Sequence, residues 1–360
     1  AWNDLGHEVR LVGPVRHPTS QSKLLFPKWA YPFSEYRSPL DLPIRYRIIV
    51  EELLSRWIPD AAYVYPAIKD FLVQHLLTSR GIPLFYEVNS LAPLMHFSQG
   101  HWLKSVAMEL LDRWELPRCA GIIGITDEIV RNISFKVKPL TPVCVTGNGL
   151  DLSLISEPSF CPNARLELQT PLDVKVLVYI GNIIHYMGLD LLLPLLKNHP
   201  DWVLWIIGKG KDKPQLQALE KKLQISNQIR WVEWIPNENL RSFLKAADVA
   251  IGPLALERKK LKEAQPLKVR TYIGAGLPVV LGYKDTRIPS DVPWARQVNA
   301  FCEEELDQGI QQILSLATRE TSLRHQIQCF AIENLSWERI ARETIDFIEQ
   351  VNDGKIVHSK

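Results

Sequence analysis

Short runs of β-branched and aliphatic residues alternate along the chain with stretches of helical period, the pattern of a parallel sheet covered by helices on both faces. Val9 to Val12 reads as a strand, followed by a long Pro-rich and aromatic excursion. Ile44 to Trp57 reads as a helix, Ala61 to Tyr65 as a strand, and Phe71 to Ser79 as a helix ended by Gly81. Leu84 to Val88 is the next strand, Trp102 to Leu116 a helix, and Gly121 to Ile125 and Pro142 to Val145 further strands. From Glu157 to Asp173 the period fades into a polar segment with Pro158, Pro162 and Pro171, which reads as a linker. The pattern then restarts, with strands expected at Val174 to Ile180, Val203 to Ile207, Ile229 to Val232, Val249 to Ile251 and Val279 to Leu281. The sequence therefore predicts an α/β protein of two Rossmann-like halves, 1–156 and 173–335, with a closing helix over 336–351.

Composition narrows the class. With 360 residues, 46% hydrophobic and 23% charged, the chain has enough apolar material for two domain cores, which excludes disorder. The net charge of +2 gives no overall pull toward nucleic acid, and no nucleic-acid-binding module is legible. Cys119, Cys144, Cys161, Cys302 and Cys329 are too dispersed for a zinc site or a redox dithiol, so a reducing cytoplasm is the expected location. No apolar run reaches the roughly 18 to 20 residues of a bilayer-spanning helix. The chain opens on Ala1 in "AWNDLGHEVRLVGP", a helix end, a glycine turn and then a strand. The first strand of a Rossmann unit, which lies inside the sheet, is thus expected to be missing, leaving two neighbours without hydrogen-bond partners.

Candidate chemistry lies in the glycine-bearing segments of the second half. In "YIGNIIHYMGLDLLL" a strand ends at Gly181 and a second glycine, Gly188, precedes a helix, so the backbone can approach a phosphate with its amides. In "WIIGKGKDKP" Gly208 and Gly210 follow a strand, but Lys213 stands where a dinucleotide fingerprint needs its third glycine. The most informative segment is "IGPLALERKKLKEAQPLKVRTYIGAGLPVV". There a strand leads into a basic loop with Lys259, Lys260 and Lys262, and Pro266 marks the first position of a helix carrying Leu267, Lys268 and Thr271. The free amides and dipole of such a helix start hold a diphosphate, and the lysines add positive charge beside it.

These segments resemble the family 4 glycosyltransferases, retaining enzymes of GT-B fold. The resemblance is carried by "LGHEVRLVGP", "PLFYEVNS", "GNGLD", "YIGN…MGLD", "ADVAIGPL", "EAQPLKVRTYIGAGLPVV" and the closing "SWERIARETIDFIEQV". It implies two Rossmann-like domains with a cleft between them, the first on the acceptor side and the second binding a UDP- or GDP-linked sugar. It also implies transfer to a glycan or lipid-linked acceptor with retention, and no cofactor or metal. In the family a glutamate contacts the donor sugar and a second, eight positions later, contacts the ribose. Glu263 fits the first, and the second falls on Thr271. Asn182 and Met187 occupy the places where many members carry an arginine and a lysine for the diphosphate. The resemblance assigns Glu263 to the reacting sugar; Glu87 and Asn89, at the C-terminal end of a strand in the first half, are expected to face the cleft, with Asn89 standing where many members have a histidine.

The excursion interleaves Arg16, Lys23, Lys28, Arg37, Arg45 and Arg47 with Phe26, Trp29, Tyr31, Phe33 and Tyr36. Such a mixture suits anionic lipid headgroups, so peripheral membrane contact through 16–47 on the inner face of the membrane is a secondary expectation. Two other classes stay open: a catalytically impaired relative that binds a nucleotide sugar, and a nucleotide-sugar epimerase of the same fold.

Overall fold

The structure is a computed structural model that describes residues 2–14, 30–33, 41–65, 71–98, 100–138, 140–152, 155, 157–316 and 318–354. It separates into two compact units, Ala1–Thr146 with Ala341–Lys360, and Gly147–Ile340.

The first unit carries β1 (Leu11–Pro14), β2 (Ala30–Phe33), α1 (Leu42–Leu54), β3 (Ala62–Val64), α2 (Phe71–Ser79) and β4 (Leu84–Val88). It continues with α3 (Ala92–Ser98), α4 (Trp102–Glu115), β5 (Gly121–Gly124), α5 (Asp127–Ile133) and β6 (Val143–Val145). Strands β3-β4-β5-β6 form one parallel sheet, while β1 and β2 form a separate parallel pair. Strand β4 is buried almost throughout, as a parallel strand covered on both faces must be. Phe85 from β4 and Ile123 from β5 pack with Phe347 and Ile348, the two phenyl rings meeting edge-on at 5.9 Å. A cavity of about 350 Å3 is lined by Val9 to Val12 on one side and Ala62 to Val64 on the other. Strand β1 begins two residues later than its apolar run suggests, because the Val9 amide is tied to the Asn3 side chain at 3.2 Å.

Helix α1 starts at Leu42, earlier than its apolar period indicates, with a proline in its first turn where no backbone donor is needed. Of the basic and aromatic excursion, Arg16, Lys23, Phe26, Lys28, Trp29, Tyr36 and Arg37 lie outside the described residues. Tyr31 and Phe33 belong to β2, and Arg45 and Arg47 to α1.

The second unit carries α6 (Asn163–Glu167), β7 (Lys175–Ile180), α7 (Leu189–Leu196), β8 (Trp202–Ile207), α8 (Lys213–Leu223), β9 (Ile229–Val232) and α9 (Asn237–Ala246). It continues with β10 (Val249–Ile251), α10 (Leu267–Gly274), β11 (Val279–Leu281), β12 (Ala295–Gln297), α11 (Glu303–Leu314) and α12 (Thr321–Leu335). The six strands are parallel in the order β12-β11-β10-β7-β8-β9. The chain winds outward from β7 in one direction and from β10 in the other, so the order reverses between these two strands. The crevice beyond their C-terminal ends is where ligands bind in open α/β sheets. A last helix, α13 (Trp337–Asn352), begins in the second unit, and from Ala341 its residues count with the first.

The polar, Pro-rich stretch expected as a linker is part of the second unit. Arg165 on α6 is fully buried, donating to the carbonyls of Ala246, Pro171 and Val174 and pairing with Asp248 at 2.6 Å. Arg319 pairs with the same carboxylate at 2.6 Å. The division falls instead at Thr146, ahead of Leu150, which is buried and bonds through its backbone to Leu335.

Candidate functional site

The site is built around the C-terminal ends of β7 and β8 and the start of α10. Strand β7 is held at its end by Tyr272 of α10, whose buried hydroxyl accepts from the Ile180 amide at 2.7 Å. Gly181 follows in a left-handed conformation, φ +128°, and a Cβ there would lie 2.7 Å from the Nζ of Lys268. The glycine is what lets the lysine reach across the turn. Lys268 Nζ donates to the Tyr179 hydroxyl at 2.8 Å and sits 4.2 Å from the centre of that ring. Tyr179 in turn donates to the Asn182 carbonyl at 2.5 Å, so one buried phenol fixes both the ammonium and the glycine loop. Met187 closes the other side, its sulfur 3.7 Å from Nζ.

Among the described residues no carboxylate pairs with Lys268, and burial pushes its pKa down to about 7. A desolvated cation with only a phenol and a thioether beside it is poised for an anion that supplies the missing charge. Helix α10 points its start at the same place. Pro266 is the N-cap rather than the first helical residue, with no side-chain cap, and the amides of Leu267 and Lys268 have no acceptor among the described residues. Two orphan donors and the positive end of a helix dipole thus join the lysine.

Gly208 and Gly210 serve the loop rather than a ligand directly. A Cβ on Gly208, at φ +142°, would meet the Gly181 carbonyl oxygen at 2.1 Å, and one on Gly210 would meet that of Ile183 at 2.0 Å. The two loops are laced by Gly181 N–H to Ile207 and Ile183 N–H to Lys209, both 2.9 Å. Gly188, left-handed at φ +72°, is pressed against Leu254 and Ala255. Gly208→Ala is expected to force these loops apart, lowering unfolding free energy by about 1–3 kcal/mol and weakening nucleotide binding at least tenfold. Paired urea titrations and calorimetry check this; unchanged nucleotide affinity would dissociate the loop from the site.

The remaining basic residues divide by environment. Arg258 is committed to Asp190 through two bonds of 2.9 and 2.7 Å, and this pairing raises its pKa. Lys259 lies over the Tyr186 ring at 4.5 Å, with its pKa lowered by burial. Lys260 takes a left-handed conformation and Lys262 is exposed. The expected block of cations therefore divides into Lys259 and Lys268, both half-buried with lowered pKa, and exposed Lys260 and Lys262.

Glu263 is buried on an extended segment that pairs with Lys284. Thr271 is half-buried one turn beyond Leu267 and donates to the Leu267 carbonyl at 3.2 Å, so its hydroxyl is spent on its own helix. The loop before α10 is anchored by Arg270, which holds Asp285 in a buried two-point pair at 2.7 and 3.1 Å and also bonds Gln265 and the Asn148 carbonyl. Sequence reading overlooks Tyr179, Tyr272, Arg258 and Arg270. The available signal is spacing, since Tyr272 lies one turn after Lys268 and faces the same strand end.

Gly181, Asn182, Gly188, Gly208, Gly210, Pro266, Leu267 and Lys268 thus lie around the ends of β7 and β8 and the start of α10. Glu87 and Asn89 lie in the first unit. The Tyr63 hydroxyl donates to Glu87, whose pKa is raised by burial against the lowering effect of that bond. Asn89 is half-buried just past β4, and its side chain makes no hydrogen bond among the described residues. No group of three or more His, Cys, Asp or Glu among the described residues is placed to hold a metal ion.

Two parallel-sheet α/β units, which solved GT-B structures share, define a protein of GT-B fold. Sucrose-phosphate synthase from Thermosynechococcus elongatus has the same architecture at TM-score 0.67 and 15% identity, over 91% of this chain and 82% of that one. HepE from Anabaena, in complex with UDP-glucose, superposes at TM-score 0.68 and 14% identity, over 95% and 91%. Residues 162–328, within the second unit, match the family model Glycosyl transferases group 1. The lipopolysaccharide core biosynthesis glycosyltransferase LpsD of Rhizobium meliloti is 32% identical over 90 residues, 25% of this chain and 26% of that protein. A D-inositol 3-phosphate glycosyltransferase of Corynebacterium urealyticum is 33% identical over 203 residues, 51% of this chain and 45% of that protein. The chain spans between a quarter and just under half of the length of these curated relatives.

Proposed function

We propose that this chain transfers a hexose from a UDP- or GDP-linked donor to a glycan or lipid-linked acceptor, with retention at the anomeric carbon. The observation that carries the reading is the Lys268 ammonium, desolvated, set over Gly181 beside the start of α10, and, among the described residues, without a carboxylate partner. In this reading the bond between the anomeric carbon and the diphosphate oxygen breaks, and the charge left on the diphosphate is taken up by Lys268 and the Leu267 and Lys268 amides. The acceptor hydroxyl forms the new bond on the same face of the sugar and passes its proton to the departing diphosphate oxygen. Glu263 would contact the donor sugar, and Glu87 and Asn89 would serve the acceptor side. No metal or other cofactor enters the scheme. A solved fold neighbour holding UDP-glucose and a relative named for lipopolysaccharide core synthesis support the donor and acceptor classes.

Calorimetry with UDP, GDP and their sugars, followed by product analysis with and without acceptor, tests this. Binding of neither nucleotide sinks the reading, and an altered free sugar nucleotide without acceptor marks an epimerase.

Thr271 favours a second reading, a relative whose donor site has lost catalytic strength, because its hydroxyl is engaged with the Leu267 carbonyl. A glutamate there accepts from two ribose hydroxyls at once, and the half-exposed position does not bury the new charge. Thr271→Glu is expected to tighten UDP or GDP binding about tenfold, about 1.4 kcal/mol, at unchanged melting temperature. Equal affinity in both proteins would remove position 271 from the ribose.

A further inference from the structure

A cavity of about 610 Å3 lies in the second unit, beyond the C-terminal ends of β11 and β12, and the donor-site reading makes no use of it. Lys262 lines it, whereas Glu263, the next residue of the same extended segment, does not. Its walls are fixed before anything binds. The Lys284 amide donates to the Lys262 carbonyl at 2.8 Å, the Ala264 amide to the Lys284 carbonyl at 3.2 Å, and the Gly282 amide to the Pro253 carbonyl at 2.9 Å. Behind them Asp285 is held by Arg270 at 2.7 Å and accepts from the Arg287 amide at 3.1 Å. A preformed cleft of this volume is the ordinary setting of a small-molecule site, because little ordering remains to be done on binding.

The lining says which ligand fits. Glu257 and Glu305 bring two carboxylates, and Lys262, Lys284 and Arg296 bring three cations, since Asp285 is already committed to Arg270. An anionic ligand meets both carboxylates and a cationic one meets all three cations, so neither sign is well served. A neutral polyol uses both signs at once, because each hydroxyl donates to a carboxylate and accepts from an ammonium or guanidinium. Gln297, exposed at the end of β12, adds an amide with the same double capacity. The apolar part of the wall is Phe301, 47% exposed and backed by the Arg258 guanidinium 5.5 Å from its ring centre, with Ile288 and Pro289. A pyranose presents that pair of surfaces, a rim of hydroxyls around a face of C–H groups that lies well against an aromatic ring.

We propose that this cavity is a second saccharide site, which holds neutral hexose units of a glycan acceptor apart from the sugar of the donor. In assigning the saccharide to the acceptor, the inference rests on the proposed function. The preference for a neutral saccharide rests on the cavity alone.

The test is saturation-transfer NMR with maltotriose, cellotriose and mannotriose, and with trigalacturonate as the anionic control, each alone and with excess UDP-glucose or GDP-mannose. At least one neutral trisaccharide is expected to bind the wild type and to stay bound when the nucleotide sugars are present, with trigalacturonate weaker. Phe301→Ala is expected to weaken that binding about tenfold or more, since the sugar face loses its apolar wall. Gln297→Ala is expected to weaken it about threefold or more, through a lost pair of hydrogen bonds. Melting temperatures close to wild type are expected for both variants, because these side chains are exposed. Binding of none of the neutral trisaccharides, equal binding by Phe301→Ala, or tighter binding of trigalacturonate than of all three overturns the proposal. So does displacement of the trisaccharide by either nucleotide sugar, which would put it in the donor site. UDP calorimetry on Phe301→Ala is expected to match wild type. Loss of UDP binding in both proteins, with the trisaccharide still bound, would sink the donor-site reading and leave the saccharide site standing.

Discussion

Lys268→Ala is expected to weaken UDP binding by about 1.5–3 kcal/mol, roughly ten- to a hundredfold, because one charge-assisted contact to the diphosphate disappears. The pH dependence makes the prediction specific. In the empty protein burial holds this lysine at about 7, against an ordinary value of 10.5. Above that lower value the site is largely neutral, and the diphosphate must bring a proton back onto Nζ. Wild-type affinity is therefore expected to fall as pH rises from 7 to 9, with uptake approaching one proton per UDP in calorimetry in buffers of different ionisation enthalpy. The alanine variant should show neither effect.

Stability moves the opposite way. Between about 7 and 10.5 the unfolded chain binds more protons at this position than the native one, so native stability rises with pH across that window. Below it the cost of the buried ammonium is fully present. Lys268→Ala removes the slope. Equal UDP affinity and equal pH dependence in the two proteins would show that the crevice does not hold a diphosphate.

Asp248→Ala is expected to destabilise the second unit by about 3–5 kcal/mol at neutral pH, the largest stability effect foreseen here. The carboxylate is fully buried and accepts from the Val176 amide at 2.7 Å, from Arg165 at 2.6 Å and from Arg319 at 2.6 and 3.1 Å. Arg324 lies close by, donating to the carbonyls of Thr318, Lys245 and Ala247, and all three guanidiniums pack against Phe160. Removing the single anion strands buried cations that cannot neutralise cheaply. Burial raises the Asp248 pKa, but the Arg319 bond, the Arg165 charge and the Val176 amide outweigh it, so the net shift is downward. Its stabilisation is present above the ordinary carboxylate value and is lost as pH falls through the lowered one. Urea unfolding at neutral pH followed by circular dichroism reads the effect. A loss below about 1 kcal/mol would mean that water reaches the cluster and screens it.

The same cluster shows where reading the chain stops. Around Arg165 the residues are polar and punctuated by Pro158, Pro162 and Pro171, which is the composition of a linker. The partner that makes this arginine a core residue is far along the chain, and no local pattern encodes that pairing. Strand β12 is invisible for a related reason. It is three residues, Ala295–Gln297, at a half-exposed sheet edge, so burial imposes no apolar period on it. By contrast β4, β7, β8 and β11 are legible because strands buried on both faces must be continuous apolar runs.

The site divides along the same line. Gly181, Gly188 and Gly208, all left-handed, and the proline at the start of α10 are marked in the sequence, since left-handed turns and helix starts carry residue-type signatures that need no knowledge of neighbours. What each glycine is for is decided by the tertiary structure: Gly181 admits the Lys268 side chain, whereas Gly208 and Gly210 admit the neighbouring loop. The several lysines of the basic loop look equivalent as letters. Only burial beside Tyr179 and Met187 separates Lys268 from exposed Lys262, because desolvation is a property of surroundings assembled from β7, its loop and α10. Local propensity and period thus determined the elements and the turn chemistry of this protein. Long-range packing alone decided which charges are buried and which are paired.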